Sequence, residues 1–340
     1  AVLTPARTLW PLLALLAATA WAGTTIHWSV PDALHGLDPY FHIRQAWLMR
    51  HGQGDPAQWF QFSIYTTHPA DPEWGFHWLL MPFTFGDLVL GAKVAAVLGL
   101  VLFTVVCWWV VWRLRLSTPT LWTIGALVLF PSFFLRMTLL RPFLLTTGLL
   151  LLGLYGLIAN RRWLVGITVA VWTWLHSGYL LLGSVIILYL ALDAIRIRRI
   201  DWTLVGWTVG GWLLGLALHP APWQYLSFWL QLAVLTRQWH AARLEMPFAM
   251  ELQPWGAPWW QASVGLLVFY VLDTIWLWRM PRQPQGEARA AMVKRFLWIV
   301  LTLTWVMTVR HLRFFEYLVP VTILTSAYLW QEPLIRARRR

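Results

Sequence analysis

Long apolar runs follow one another through almost the whole chain, and they leave it few ways to fold. They fall near residues 8–25, 91–112, 118–135, 143–160, 163–176, 178–195, 202–218, 259–278, 296–310 and 314–331. A helix needs about 20 largely apolar residues to cross a bilayer. A water-facing fold could not hide this much apolar surface. Hydrophobic residues make up 59% of the 340 and charged residues 12%, roughly half the charged share of a soluble domain. The expectation is an all-α polytopic membrane protein with ten transmembrane helices. The stretch FHWLLMPFTFGDLVL (76–90) makes eleven if it enters the bilayer as a short or re-entrant helix. A single transmembrane domain, 1–340, is expected, with no separate soluble domain.

Charge sets the orientation. The net charge of +12 would suggest nucleic acid in a soluble protein. Here the basic residues form short clusters at the ends of apolar runs, so no nucleic-acid partner is expected. Arg7, Arg113, Arg115, Arg161, Arg162, Arg196, Arg198, Arg199, Arg279, Arg282, Arg289, Lys294, Arg295 and the terminal RARRR all fall on one side of this layout. They are 17 of the 26 Lys and Arg. By the positive-inside rule that side is cytoplasmic. Both termini then lie in the cytoplasm of an inner-membrane protein, and the long segments 26–90 and 219–258 lie outside. The first outer segment carries Asp32, Asp38, Asp55, Asp71 and Glu73 against Arg44 and Arg50 up to residue 75. Both outer segments mix proline, tryptophan and charge, which suits short helices at the interface. The 28 tryptophans suit the same boundary. TPARTLWPLLALLAATAWAG resembles a secretory signal, but the polytopic remainder favours an uncleaved first span. Cys107 is the single cysteine, so no intramolecular disulfide and no cysteine-rich metal site can form.

Polar residues that do not serve orientation collect at the outer ends of the runs. Asp38, His42 and Arg44 lie in the first outer segment. Arg136 and Arg141 flank the turn between the third and fourth runs, His176 lies between the fifth and sixth, and His219 ends the seventh. Arg237, His240, Arg243, Glu245 and Glu251 lie in the second outer segment. Arg310, His311, Arg313 and Glu316 lie between the last two runs. Each has a plain reading. Arginines snorkel and pair with acids, Asp38 can cap a helix beginning at Tyr40, and single histidines at helix ends often serve as hydrogen-bonders. As a set, arginines and histidines on the side that the positive charge avoids suit an anionic ligand such as a lipid-linked phosphate or pyrophosphate.

DPYFHIR (38–44) follows the pattern Asp-Pro-aromatic-aromatic-x-x-Arg and resembles the first outer loop of the oligosaccharyltransferase catalytic subunit and its archaeal relatives. In the same order, FPSFFLRM (130–137) is similar to that family's Pro-x-x-x-x-Arg turn, TWLHSGY (173–179) to its Trp-Gly-Gly-Tyr turn, and AMELQPW (249–255) to its Ser-Val-Ser-Glu motif. RHLRFFEY (310–317) falls where the family has an arginine-bearing late span. The resemblance implies a membrane glycosyltransferase of the GT-C superfamily. Such an enzyme takes a sugar from a polyprenyl-phosphate or pyrophosphate donor and passes it to a glycan, lipid or protein acceptor at the outer face. It implies Asp38 as general base or metal ligand and Glu251 as the acceptor-side catalytic residue. His42, Arg44, Arg136, Arg141, His176, His219, Arg310 and Arg313 become substrate ligands, with Arg310 and Arg313 on the donor phosphate and Arg44 holding Asp38 or a phosphate.

The family's divalent metal, Mg or Mn, needs a second acidic motif, and RMTLLRPFLLTTG (136–148) has no acid, only Arg141-Pro142. A metal here would need Asp71, Glu73 or His77 from the first segment, or an arginine in its place. The family's large C-terminal outer domain is missing, so asparagine-linked protein glycosylation is not carried over. Two other readings are a catalytically inactive GT-C-like subunit of a larger membrane assembly, and a lipid-linked glycan transporter.

Overall fold

The computed structural model describes residues 5–59, 70–228, 230, 263–279 and 288–331, and among these it is helical without a strand. The segment after α1 (Pro5–Trp28) holds three short helices, α2 (Asp38–Arg50), α3 (Pro56–Trp59) and α4 (Trp74–Leu80), and a 3-10 turn at Met81–Thr84. Then come α5 (Leu88–Arg113), α6 (Pro119–Val128), α7 (Pro131–Met137), α8 (Phe143–Ile158), α9 (Arg162–Leu175), α10 (Tyr179–Ile197) and α11 (Trp202–Ala217). After the short α12 (Pro222–Phe228) follow α13 (Val264–Arg279), α14 (Ala288–Arg310) and α15 (Phe315–Leu329).

Every apolar run thus becomes helix, with differences that have local causes. The run at 118–135 is not one helix. It breaks before Pro131 and bends by 89° into α7. Proline has no N–H to donate and disfavours helical backbone in the residue before it; Phe130 accordingly sits at φ −130°, ψ 79°. The ninth run starts earlier than its apolar stretch, at Ala288, with Lys294 buried inside the helix. FHWLLMPFTFGDLVL gives the end of α4, the 3-10 turn and the start of α5. Asp87 begins α5 by accepting from Leu90 N at 2.7 Å, and Asp201 begins α11 by accepting from Leu204 N at 3.1 Å, satisfying N–H groups that a helix start leaves open.

Among the described residues four helices are long and apolar enough to cross a membrane: Leu9–Trp28, Leu88–Arg113, Tyr179–Ile197 and Ala288–Arg310. The bent pairs α6–α7 and α11–α12 bring the number to six if each is one span, and α8 and α9 are apolar but shorter. Large apolar side chains stand exposed along several of them, such as Leu98 and Leu102 on α5, Ile187 on α10 and Val268 on α13.

α15 is apolar all round and sits at the centre, buried along nearly its whole length. It packs on α5, α6, α7, α8, α13 and α14. α9 and α11 lie against each other through Gly166, Gly211 and Gly215, where a Cβ would overlap the facing backbone. Small residues at such a seam let helices approach closely.

The two ends of α9 and α10 lead into chemically different regions. At the Arg162 end, Arg162 pairs with Asp201, Arg196 with Asp193, and Arg289 donates to Ile158 O, around a cleft of about 670 Å³. At the opposite end, α2 and α4 pack on each other, α2 packs on α5, and α4 packs on α9. Lys93 of α5, fully buried, fastens this outer segment by donating to Val30 O and Pro31 O at 2.6 and 2.7 Å. A lysine inside an apolar run gave no sign of that role in the sequence.

Candidate functional site

The short helices at this end carry a linked set of charged and imidazole groups. α2 begins at Asp38, with Pro39 in the first turn, where its missing N–H leaves no bond unmade. Asp38 is not a cap. The N-cap is Leu37, which offers no side-chain bond. The Asp38 carboxylate instead meets Arg141 Nη2 at 2.8 Å. One helical turn on, His42 projects from the same side as Asp38, while Arg44 turns away. Arg44 is exposed and lies with its guanidinium carbon 4.2 Å from the Trp47 ring centre. The expected Asp38–Arg44 partnership is therefore replaced by Asp38–Arg141.

The stretch ADPEWGFH (70–77) supplies the facing wall. Asp71 Oδ1 accepts from Glu73 N at 2.9 Å, an Asx turn that leads the chain into α4. Its other oxygen, Oδ2, meets His77 Nδ1 at 2.5 Å. His77 Nε2 lies 2.9 Å from His42 Nδ1. Glu73 Oε2 is 3.5 Å from His42 Nδ1, and Glu73 Oε1 is 3.6 Å from His176 Nε2. His176 Nδ1 accepts from Gly178 N at 2.8 Å, so in the neutral ring the proton is on Nε2, facing Glu73. His219 does not turn toward a ligand site. It donates from Nε2 to Asp71 O at 2.9 Å, accepts at Nδ1 from Ala221 N at 3.1 Å, and stacks on Tyr225.

Arg313 joins from the turn before α15, its guanidinium carbon 5.2 Å from the Phe143 ring centre, and Phe143 meets His176 edge-on. Arg136 is engaged elsewhere. Its Nη2 lies 2.6 Å from Glu316 Oε1, and the pair is buried between α7 and α15. Arg310 ends α14 on an exposed turn. Glu251 lies outside the described residues, as do Arg237, His240, Arg243 and Glu245.

The environment sorts these groups by charge. Burial pulls His42 well below its ordinary pKa, and the positive neighbours His77, Arg141 and His176 pull it further. Burial, then Arg313, brings His176 down to about 3. His77 goes the other way: burial lowers it, but the charge and hydrogen bond of Asp71, with Glu73 beyond, outweigh that and raise it. Burial lifts Glu73 to about 7 against the pull of His77. Burial also lowers His219.

Of the residues expected from the sequence, the catalytic candidate Asp38 and the substrate candidates His42, Arg141, His176 and Arg313 belong to this neighbourhood. Asp71, Glu73 and His77 entered the sequence reading only as stand-in metal ligands, yet they form its centre. Their signal was Glu73 and His77 four residues apart, one face of a helix. No family model matches the chain, and no curated protein matches it.

Proposed function

We propose that the chain is a GT-C-like glycosyltransferase of the inner membrane, with ten or eleven spans and both termini cytoplasmic. It would move a sugar from a polyprenyl-phosphate or pyrophosphate donor to an acceptor at the outer face. One observation carries the reading: Asp38, half exposed and held by Arg141 at 2.8 Å, stands at the end of the bundle where Arg313 and the histidine–carboxylate cluster also lie. The resemblance of DPYFHIR and ELQP to the oligosaccharyltransferase family points the same way.

In this reading an acceptor hydroxyl attacks the anomeric carbon of the donor sugar. The bond from that carbon to the phosphate oxygen breaks, and the phosphate leaves with the electron pair. The acceptor proton passes to the free oxygen of Asp38. Arg141 binds the other oxygen and aims the carboxylate. Arg313 stabilises charge on the departing phosphate. The exposed apolar faces of α5 and α10 offer the isoprenoid a path within the bilayer. The family's metal would add further charge neutralisation at the phosphate, but among the described residues the side chain paired with Asp38 is Arg141 and not a second acid.

The test is sugar transfer by the reconstituted protein from a polyprenyl-phosphate-linked donor. Asp38→Asn should express normally and lose transfer; full activity in that variant overturns the mechanism. The Asp38–Arg141 pair also fits a catalytically inactive subunit, because the arginine neutralises the acid. Tight binding of polyprenyl phosphate without turnover would establish that alternative.

A further inference from the structure

The contact between His42 and His77 carries more than the sugar-transfer reading uses. Both rings are buried, at 4% and 0% exposure. Their facing nitrogens, His42 Nδ1 and His77 Nε2, are 2.9 Å apart. His77 Nδ1 donates to Asp71 Oδ2, so in the neutral ring Nε2 presents a lone pair. Glu73 brings a carboxylate oxygen to the same point, and the ligand atoms of His42, Glu73 and His77 all lie within 4.8 Å of one another. Around a tetrahedral zinc-class ion with bonds of about 2.0–2.2 Å, neighbouring ligand atoms stand roughly 3.4 Å apart. The His42 Nδ1 distances of 2.9 Å to His77 and 3.5 Å to Glu73 bracket that spacing.

A second observation supports the first. A metal-bound histidine almost always passes its other N–H to a carboxylate or carbonyl, which fixes the ring and strengthens it as a ligand. Asp71 does this for His77. Asp71 is itself fixed, by its bond from Glu73 N and by His219 Nε2 on its carbonyl at 2.9 Å. His176 Nε2 faces the other oxygen of Glu73 at 3.6 Å, and Oε2 lies toward His42. His77 is therefore oriented by Asp71, and Glu73 faces His176 on its other oxygen. Glu73 is the most exposed of the three, at 21% of its side chain, so the cluster opens to solvent on its side.

We propose that His42, Glu73 and His77 form a binding site for one divalent transition-metal ion of the zinc class, with Asp71 as a positioning residue. Two imidazoles and one carboxylate select zinc, cobalt and their neighbours over magnesium, which prefers oxygen ligands alone. The site shares α2 with Asp38 but does not use its carboxylate, and all three ligands come from the first outer segment. It goes beyond the sugar-transfer reading and does not depend on it.

The test uses the full chain in detergent, stripped with a chelator and titrated with Co²⁺ while its visible absorption and metal content are followed. One equivalent should bind at micromolar ion, be displaced by Zn²⁺, and resist millimolar Mg²⁺. His42→Ala, His77→Ala and Glu73→Gln should each weaken binding roughly tenfold or more, and Asp71→Asn by about 10- to 100-fold. His51→Ala, on an exposed ring bonded to Trp47 O, should bind as the wild type does. Gel filtration of each variant checks its fold. Failure of the folded wild type to bind would mean that the two rings merely share a hydrogen bond, and would overturn the site. So would undiminished binding in the double variant His42→Ala/His77→Ala, or displacement by Mg²⁺. Because the ion itself is read out, the result stands whether or not sugar is transferred.

Discussion

Arg141 and Asp38 meet at 2.8 Å and join the first turn of α2 to the turn ahead of α8. The Asp38 side chain is 48% exposed, so water screens the pair and its net worth is under about 1 kcal/mol. Arg141→Leu should therefore barely move the melting temperature in detergent. Under the proposed function it should still cut sugar transfer strongly, with partial recovery in Arg141→Lys. A large drop in melting temperature would assign the pair to the scaffold instead.

The pair Arg136–Glu316 behaves differently because it is buried. Glu316 is 1% exposed and the Arg136 side chain 13%. Removing one partner leaves a buried charge without its counter-ion, which costs about 3–5 kcal/mol. Glu316→Gln should be among the most destabilising single changes at this end of the molecule. The double variant Arg136→Met/Glu316→Met should recover most of the loss, measured by reversible unfolding in mixed micelles. No recovery would mean that neither charge depends on the other.

Gly75 lies where α4 presses on α9, and a Cβ there would overlap the backbone oxygen of Trp174. Backbone cannot swing aside as a side chain can. Gly75→Ala should push α4 away from α9, lower the melting temperature and weaken Co²⁺ binding through Glu73 and His77. Gly206→Ala on α11, where nothing lies within 4 Å, should be neutral or slightly stabilising.

His219 provides a pH signature. Burial lowers its pKa below the ordinary 6.5, against the pull of Asp71. Protonation would place an N–H at Nδ1 against the N–H of Ala221. The unfolded chain therefore takes up this proton first as pH falls. The stabilisation is complete above about pH 6.5 and is lost progressively below it. Asp71, Trp74 and Tyr225 are the groups around the ring. Melting temperatures at about pH 7.5 and about pH 5.5 should fall further apart in wild type than in His219→Asn. Equal differences would remove His219 from the pH response.

The helices were legible because their causes are local. Apolar length set α5, α8, α9 and α10, while the helix-starting bonds of Asp87 and Asp201 came from the structure. Pro131 stood in plain view, but whether a proline kinks a helix or ends it depends on what the two halves pack against. Here Phe130 and Phe133 are buried in the core, and the chain turns by 89° to place them.

That several charged turns share one end of the bundle was legible from alternation alone, because alternate turns of an up-and-down chain return to the same end. Which residue meets which was not. Arg44, six residues on, was expected to hold Asp38 or a phosphate, and Asp38 pairs with Arg141. Arg136 was expected at a ligand and pairs with Glu316, 180 residues away. Long-range partners follow from helix rotation and depth, and no local spacing encodes either. The sequence by itself determined a chain of apolar helices with one end rich in arginine, histidine and acid. Only the packing of α4 against α2 and α9 decided that His42 and His77, 35 residues apart, would share one buried point with Glu73. Burial there removes water as a competing partner, so these groups must turn to one another or to an ion.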